Sequence, residues 1–293
     1  MKIGVSSYSY SQYLKSGRLD LISVIRKAAD MGFEAIEYTD LPKDEPENRI
    51  ALAKQIKAEA AICGLELSAY VVGGNLLCET DEAQRVEIER LKGELDIAKV
   101  LGVKLFRYDV VRRLPLRRSF ESVLEGVVPA MRQIADYGQS LGIMTMIENH
   151  GYAFQDYDRV EKIYHAVNHE NFGLLLDIGN FLCADQDNVM CVSRLAHLAC
   201  HVHLKDFDIL DYYSGESAEN CFKTRACNLL RGTAVGHGAA KTAQCLSILK
   251  EVGYDGYVDI EFEGPEDCVD ELERGLAFCR EFFRAEPGEN SKL

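Results

Sequence analysis

Long apolar runs and positive charge are both scarce in this sequence of 293 residues. No apolar run reaches the ~20 residues that a membrane-spanning helix needs, so we expect no membrane span. Lysine and arginine total 33 against 47 aspartates and glutamates, which gives a formal net charge of −14. This balance argues against nucleic acid or an anionic membrane as a partner. One short basic cluster indicates a solvated loop able to touch an anionic group; it comprises Arg112, Arg113, Arg117 and Arg118.

The spacing of the ten cysteines shows no pattern that indicates disulfide pairing, and no two of them form a CxxC motif. Most of them lie within apolar stretches, as small buried thiols do. No signal peptide precedes the first predicted strand, because Met1 leads directly into it. We therefore expect ten reduced thiols, no disulfide and a cytoplasmic location.

Sequence signals of two other enzyme classes are also missing. A doubly wound sheet usually carries a glycine-rich phosphate loop after its first strand, but "SSYSYSQYL" (residues 6–14) contains no glycine. Hydride transfer with a nicotinamide cofactor is therefore not expected. We find no nucleophile elbow between a strand and a helix, which argues against acyl transfer.

A helix end, a glycine and then a strand recur five times along the chain. The glycines of these turns are Gly32, Gly64, Gly102, Gly142 and Gly253. Glycine readily adopts the left-handed conformation just past a helix end, so the recurrence indicates repeated βα units. Eight strands are predicted to begin near Ile3, Glu34, Glu66, Val103, Ile143, Phe172, Cys200 and Tyr257.

Short apolar strands that alternate with helices predict a parallel sheet covered by helices. With eight such units, we predict an α/β fold, a single-domain (β/α)8 TIM barrel over residues 1–286. The long gap between strands 7 and 8 predicts an insertion at about 207–239, and residues 287–293 are predicted to form a polar tail.

The predicted strand ends carry the residues of interest, because sites in this fold lie at the C-terminal ends of the strands. Four consecutive strand ends present Glu148, Asp177, His203 and Glu261. Adjacent strands are ~4.8 Å apart, so these side chains can converge on one point. A divalent cation there would relieve the mutual repulsion of three carboxylates. One imidazole with three carboxylates suits Mn²⁺, Co²⁺ or Mg²⁺.

Plainer interpretations exist for each residue of this set. A single acid or histidine at a strand end is more often a cap than a ligand, so the prediction depends on all four together. His201 shares a face with His203, and Glu263 with Glu261, because residues two apart point the same way along a strand. We choose His203 because it is nearer the strand end, and Glu261 because it directly follows the predicted strand.

Several motifs resemble the xylose-isomerase-like barrel superfamily of sugar-phosphate isomerases and epimerases. They are "MIENH" (146–150), "LLLDIGN" (174–180), "HVHLKD" (201–206), "VGHG" (235–238) and "YDGYVDIEFEG" (254–264). The resemblance extends over nearly the whole chain. It implies one divalent metal, usually Mn²⁺, at Glu148, Asp177, His203 and Glu261. In the ketose 3-epimerases of this superfamily, the first and last glutamates also move protons on opposite faces of the substrate.

Two positions depart from the ketose 3-epimerases. Asn180 stands where those enzymes carry a histidine, and Ile209 stands where they carry an arginine. Both of those groups contact substrate, so the reaction here need not be epimerisation of a free ketose. The superfamily also includes inosose dehydratases, subunits of glycoside-cleaving eliminases and DNA-repair endonucleases. The DNA-repair endonucleases use many more histidines than the seven in this chain. The small number of histidines and the acidic net charge therefore argue against that class.

The predicted function is that of a divalent-metal-dependent sugar isomerase or epimerase that removes an α-proton and forms an enediolate. Glu148 and Glu261 are the predicted acid–base residues, with His150 as a further candidate. Loss of a β-leaving group at the same site would instead give a lyase, such as an inosose dehydratase or a subunit of a C- or O-glycoside eliminase acting on 3-keto sugars. A structural subunit without activity is a third alternative. The expected ligand is a keto-sugar, and the chain could form a homo-oligomer, or a hetero-oligomer if it is an eliminase.

Six residues are candidates for substrate contacts: Asn180, Lys205, Arg107, His237, Tyr8 and Tyr38. For most of these residues the sequence allows a plainer role. Lys205 could pair with Asp206, His237 could lie in a surface turn between its two glycines, and tyrosines at a barrel rim often only pack.

Overall fold

The computed structural model describes residues 1–111, 114, 118–210 and 220–285. Three predicted features lie wholly or partly outside the described residues: Arg112, Arg113 and Arg117 of the basic cluster, residues 211–219 of the insertion, and the tail at 287–293.

A closed barrel of parallel strands forms the centre of the protein. The strands of the described residues are β1 (Lys2–Ser6), β2 (Ala35–Thr39), β3 (Glu66–Val72), β4 (Leu105–Tyr108), β5 (Met144–Glu148), β6 (Phe172–Asp177), β7 (Ala199–Leu204), β8 (Asp206–Leu210), β9 (Phe222–Lys223), β10 (Leu229–Thr233) and β11 (Tyr257–Ile260). Eight of them close the barrel in the order β1-β11-β7-β6-β5-β4-β3-β2, with every neighbouring pair parallel. The predicted (β/α)8 TIM barrel is therefore confirmed.

Helices surround the barrel and connect its strands. The α-helices of the described residues are α1 (Ser11–Lys15), α2 (Ser23–Met31), α3 (Pro46–Cys63), α4 (Asp81–Leu101), α5 (Phe120–Leu141), α6 (Tyr157–Val167), α7 (Asn180–Cys183), α8 (Asn188–Leu195), α9 (Thr242–Glu251) and α10 (Cys268–Arg284). Helices α2 to α5 each end at a glycine of the predicted turns, and that glycine has a positive φ. Because glycine lacks a Cβ, it enters this left-handed region without strain and directs the chain into the next strand. None of the helices in the described part of the chain is long and apolar enough to span a membrane.

The chain between β7 and β11 contains a small antiparallel sheet in the order β8-β10-β9. The Asp206 carboxylate fixes the end of this sheet, because it accepts backbone N–H groups of Gly236, Gly238 and Ala240 at 2.8–3.0 Å. The insertion is thus attached next to the end of β7, at the mouth of the barrel where the predicted site lies.

The barrel interior has an apolar part and a polar part. Ala69, Val71, Met146 and Leu175 pack together as a small apolar cluster, separate from the large core between the strands and the helices. Met146 lies two residues before Glu148, so both point into the barrel. Towards the C-terminal ends of the strands, the interior therefore changes from apolar side chains to carboxylates and imidazoles.

Candidate functional site

The four residues predicted to bind a metal converge at the mouth of the barrel. Glu148 ends β5, Asp177 ends β6, His203 lies in β7 and Glu261 directly follows β11. All four are buried, and each offers a ligand atom within 4.8 Å of the ligand atoms of the others. Strand alternation accounts for the direction of these side chains, which point into the barrel.

Two buried atoms of this cluster have no hydrogen-bond partner in the described part of the chain: Asp177 Oδ2 and His203 Nδ1. The other carboxylate oxygen of Asp177 accepts the backbone N–H groups of Gly179 and Asn180 at 2.7 and 2.9 Å. Buried polar atoms are rarely left without a partner. A cation at the centre of the cluster would satisfy both atoms, so the residues fit a divalent metal ion.

The charges of the cluster also favour a cation. Burial raises the pKa of the Asp177 carboxyl to about 7, and the charges of Glu148 and Glu261 add to the rise although Lys205 opposes it. A bound cation would offset this cost, since a nearby positive charge favours the ionised carboxylate.

Lys205 and Arg107, two predicted substrate contacts, bind carboxylates of the cluster. Lys205 Nζ lies 2.7 Å from Glu261 Oε2 and 3.3 Å from Glu263 Oε1. Arg107 Nη2 lies 2.7 Å from Glu148 Oε2. Burial opposes ionisation of Glu261, but the Lys205 ammonium and the His203 imidazole hold its pKa well below the usual range. Each proposed acid–base glutamate is therefore ionised and paired with one buried cation.

Asn180, Tyr8 and His150 also lie at or beside the cluster. The Asn180 side-chain amide donates to Glu148 Oε1 at 2.9 Å, and Tyr8 donates its hydroxyl to Glu263 at 3.1 Å. His150 is further out: its side chain is 44 % exposed, and its Nδ1 lies 2.9 Å from Asp109 Oδ1. His150 thus faces the opening of the barrel and does not reach the four-residue cluster through these contacts.

Tyr38 and His237, two further predicted substrate contacts, lie in the core and in an exposed turn, respectively. Tyr38 is 1 % exposed and donates its hydroxyl to the carbonyl oxygen of Leu21. Its strand neighbour Glu37 points into the barrel, so Tyr38 points towards the helices and belongs to the core. His237 is exposed in the turn around Asp206. The core position of Tyr38 contradicts its predicted substrate contact, whereas the predicted contact at His237 stays a prediction.

Three interior residues lie next to the cluster: Glu37, His201 and Asp259. The sequence-based prediction gives no role to Glu37 or Asp259 and prefers His203 to His201 as a ligand. Glu37 is fully buried, and its Oε2 lies 2.7 Å from His203 Nε2. Burial opposes ionisation of Glu37, but the facing imidazoles of His203 and His201 hold its pKa at about 2. The alternation of β2 places Glu37 inside the barrel, so its inward orientation could have been predicted from the sequence. The identity of its partner on β7 depends on strand order and barrel closure.

Comparison with curated proteins identifies relatives that cover most of the chain. An inosose dehydratase of Mesomycoplasma hyopneumoniae is 24% identical over 265 residues, which cover 84% of this chain and 82% of the relative. An inosose isomerase of Halalkalibacterium halodurans is 26% identical over 270 residues, 88% of each protein.

Comparison with solved structures supports the same fold. The crystal structure of the IOLI protein with a bound zinc atom has a TM-score of 0.74 at 18% identity, over 96% of this chain and 98% of that one. The family model described as xylose isomerase-like TIM barrel matches residues 25–282. The chain therefore belongs to the xylose isomerase-like TIM barrel family.

Proposed function

We propose that the protein is a divalent-metal-dependent isomerase or epimerase of a sugar or sugar-derived ketone. The observation that carries this proposal is the placement of two ionised glutamates, Glu148 and Glu261, around one candidate cation position. The relatives named for inosose, a polyhydroxylated cyclic ketone, support this substrate class. We propose Mn²⁺ as the metal, with Mg²⁺ or Co²⁺ as alternatives, because carboxylates dominate the ligand set. The bound zinc of the IOLI structure adds Zn²⁺ to the ions that need testing.

The chemistry would proceed by proton transfer at the carbon next to a carbonyl. A divalent ion held by Glu148, Asp177, His203 and Glu261 would supply Lewis acidity that makes this proton more acidic. One ionised glutamate removes the proton. The other glutamate delivers a proton after it has taken one from solvent or from the Lys205 ammonium, on the opposite face for epimerisation or to the neighbouring carbon for isomerisation. Asn180 and Lys205, which contact these glutamates, are placed to hold substrate hydroxyl groups.

Dehydration is the second candidate reaction, and the position of Lys205 favours it. Its ammonium group lies between Glu261 and Glu263, where it can hold a proton beside the site. Loss of a β-hydroxyl group as water requires a proton donor for the leaving oxygen, whereas epimerisation requires proton delivery only to carbon. The relatives named inosose dehydratase support this alternative.

Deuterium incorporation distinguishes these reactions. Purified protein and Mn²⁺ are incubated in D₂O with a panel of ketoses and inososes, and the products are followed by NMR. Deuterium at the α-carbon together with a new stereoisomer indicates an epimerase. Deuterium together with a shifted carbonyl group indicates an isomerase, and loss of water indicates a dehydratase. Turnover without deuterium at any carbon would refute proton abstraction.

Two variants and a matched control connect this exchange with the site. Glu148→Gln and Glu261→Gln preserve size but remove the base, so exchange should fall by more than the ~10²–10⁴-fold typical of acid–base help, because metal binding weakens too. Glu94→Gln is the control, since Glu94 is also a buried glutamate but pairs with Arg49 and Tyr70 on the outside of the barrel. Unchanged exchange in both site variants would refute their proposed role.

We also propose that the protein works in a reducing compartment, the cytoplasm, because the spacing of its ten cysteines shows no pairing pattern. We propose that it acts on small molecules without nucleic acid or membrane partners. Native mass measurement would distinguish a monomer from a homo-oligomer, and a requirement for a second chain would favour a glycoside eliminase.

A further inference from the structure

Glu37 lies inside the barrel and contacts His203, one of the four residues of the candidate metal centre. Its Oε2 is 2.7 Å from His203 Nε2, and its Oε1 accepts the hydroxyl of Ser6 at 2.9 Å. Glu37 and His203 are both buried, so neither can exchange these partners for bulk water. The contact joins β2 to β7 across the interior of the barrel.

This contact determines which nitrogen of His203 faces the cluster. With a carboxylate at Nε2, the ring proton belongs on Nε2, and the lone pair is left on Nδ1. Nδ1 lies 3.4 Å from Glu261 Oε2 and 3.7 Å from Glu148 Oε1, and no described residue hydrogen bonds to it. A metal needs a lone pair at this position.

A second layer of polar residues lies next to Glu37. His201 Nε2 is 3.3 Å from Glu37 Oε2 and 3.1 Å from Asp259 Oδ2. Ser68 on β3 donates its hydroxyl to Asp259 Oδ2 at 2.5 Å. Side chains of β1, β3, β7 and β11 therefore contact Glu37 or one another in this layer, and these contacts restrict their movement.

We propose that Glu37 is a positioning residue for the metal centre, which it serves by fixing the tautomer and ring orientation of His203. His201 and Asp259 hold Glu37 in place. The inference rests on the proposed function, because it requires that His203 bind a metal.

The free-energy cost of burying ionic groups inside the barrel argues against a purely structural role for Glu37. Barrel interiors are commonly filled by branched apolar residues, and part of this interior is filled by Ala69, Val71, Met146 and Leu175. Replacing buried ionic groups by apolar residues is often neutral or stabilising, so packing alone does not require Glu37. Ligating histidines, in contrast, almost always donate their second ring N–H to a carboxylate, a carbonyl or water.

The test measures metal binding by the full chain without substrate. Chelator-treated wild type, Glu37→Gln, Ser6→Ala and the control Glu94→Gln are titrated with Mn²⁺ alone, and with Co²⁺ alone for its visible spectrum. Glu37→Gln should bind Mn²⁺ about 10–100-fold more weakly, the usual effect of losing such a partner, with an altered Co²⁺ spectrum. Ser6→Ala, which loosens Glu37 without removing it, should show a smaller loss. Glu94→Gln should bind as wild type does.

Several outcomes would overturn the inference. It fails if folded Glu37→Gln binds both ions as wild type does, or if wild type binds neither ion. If Glu37→Gln does not fold, wild-type affinity in Ser6→Ala overturns it instead. The proposed reaction fails separately: a wild type that binds Mn²⁺ but gives no deuterium exchange refutes the reaction, while weakened binding in Glu37→Gln still supports the positioning role.

Discussion

Asn149 joins the ends of β5 and β6 through two hydrogen bonds to the backbone of Asp177. Its side-chain oxygen accepts the Asp177 N–H at 2.9 Å, and its amide group donates to the Asp177 carbonyl at 2.8 Å. Asn149 is fully buried and directly follows Glu148. The pair of bonds therefore sets the relative positions of two of the four proposed metal ligands.

Asn149→Ala should lower both stability and metal affinity. The substitution leaves a buried N–H and a buried carbonyl without partners, which costs about 2–5 kcal/mol in the free energy of unfolding. Urea denaturation measures this loss, and Mn²⁺ titration measures the effect on the ligands. Asn48→Ala removes an exposed asparagine on α3 and should change stability by no more than about 0.5 kcal/mol. Equal stability of the two variants would contradict the prediction.

The contribution of Asp177 to the stability of the metal-free protein should fall as the pH rises from about 4 to 7. Burial raises the pKa of Asp177 to about 7, whereas an unfolded aspartate has a pKa of about 3.9. A group with a raised folded pKa contributes stability that is fully present below the unfolded pKa and is lost as the pH rises through the folded pKa. Mn²⁺ binds the ionised form, so the rise in melting temperature that it causes should be larger at pH 8 than at pH 5.

Asp177→Asn isolates this contribution, since asparagine does not titrate. Scanning calorimetry of the chelated proteins should show a steeper loss of stability with pH in wild type than in the variant. A wild type that gains stability relative to Asp177→Asn over this range would contradict the assignment.

The ten thiols should differ strongly in reactivity. Burial raises the pKa of Cys200, Cys245 and Cys279 to about 12, whereas Cys227 is exposed. Titration of the native protein with a thiol reagent should therefore give a fast phase from Cys227 that disappears in Cys227→Ser and persists in Cys279→Ser. The denatured, non-reduced protein should show all ten thiols, and a shortfall of two or more would indicate a disulfide.

The barrel could be predicted from the sequence because its signals are local. A glycine past a helix end and a short apolar strand each depend on a few adjacent residues. The eight observed barrel strands accordingly begin within two residues of their predicted starts. Strand alternation and the rule that sites lie at the C-terminal ends were then sufficient to select the four cluster residues.

Contacts across the barrel could not be predicted in the same way. Glu37 meets His203 only because closure brings together strands that are distant in sequence. Tyr38 was misplaced because its strand neighbour takes the inward position, which leaves Tyr38 for the core. Asp206 holds the turn that carries His237, an interaction that the flanking glycines alone do not specify, and the role of His237 stays a prediction.

Arg107 should set the lower pH limit of activity. Burial opposes ionisation of Glu148, but the Arg107 guanidinium holds its pKa at about 2. A depressed pKa means that the pair contributes stability above the unfolded glutamate pKa of about 4.3 and loses it as the pH falls towards 2. Breaking a buried ion pair from one side costs about 3–5 kcal/mol, so Arg107→Met should be destabilised most at neutral pH and less below about pH 4.

The same substitution should move the pH profile of the enzyme. Without the guanidinium, the Glu148 carboxyl should titrate about 1–3 units higher, so the acid limb of kcat/KM, or of deuterium exchange, should shift upwards. Arg132→Met is the matched control, because Arg132 donates to the carbonyl oxygens of Ala166 and Val167 at the end of α6, away from the cluster. An acid limb at the wild-type position in Arg107→Met would mean that Arg107 does not control the ionisation of Glu148, and a shift of equal size in Arg132→Met would mean that the effect is not specific to the site.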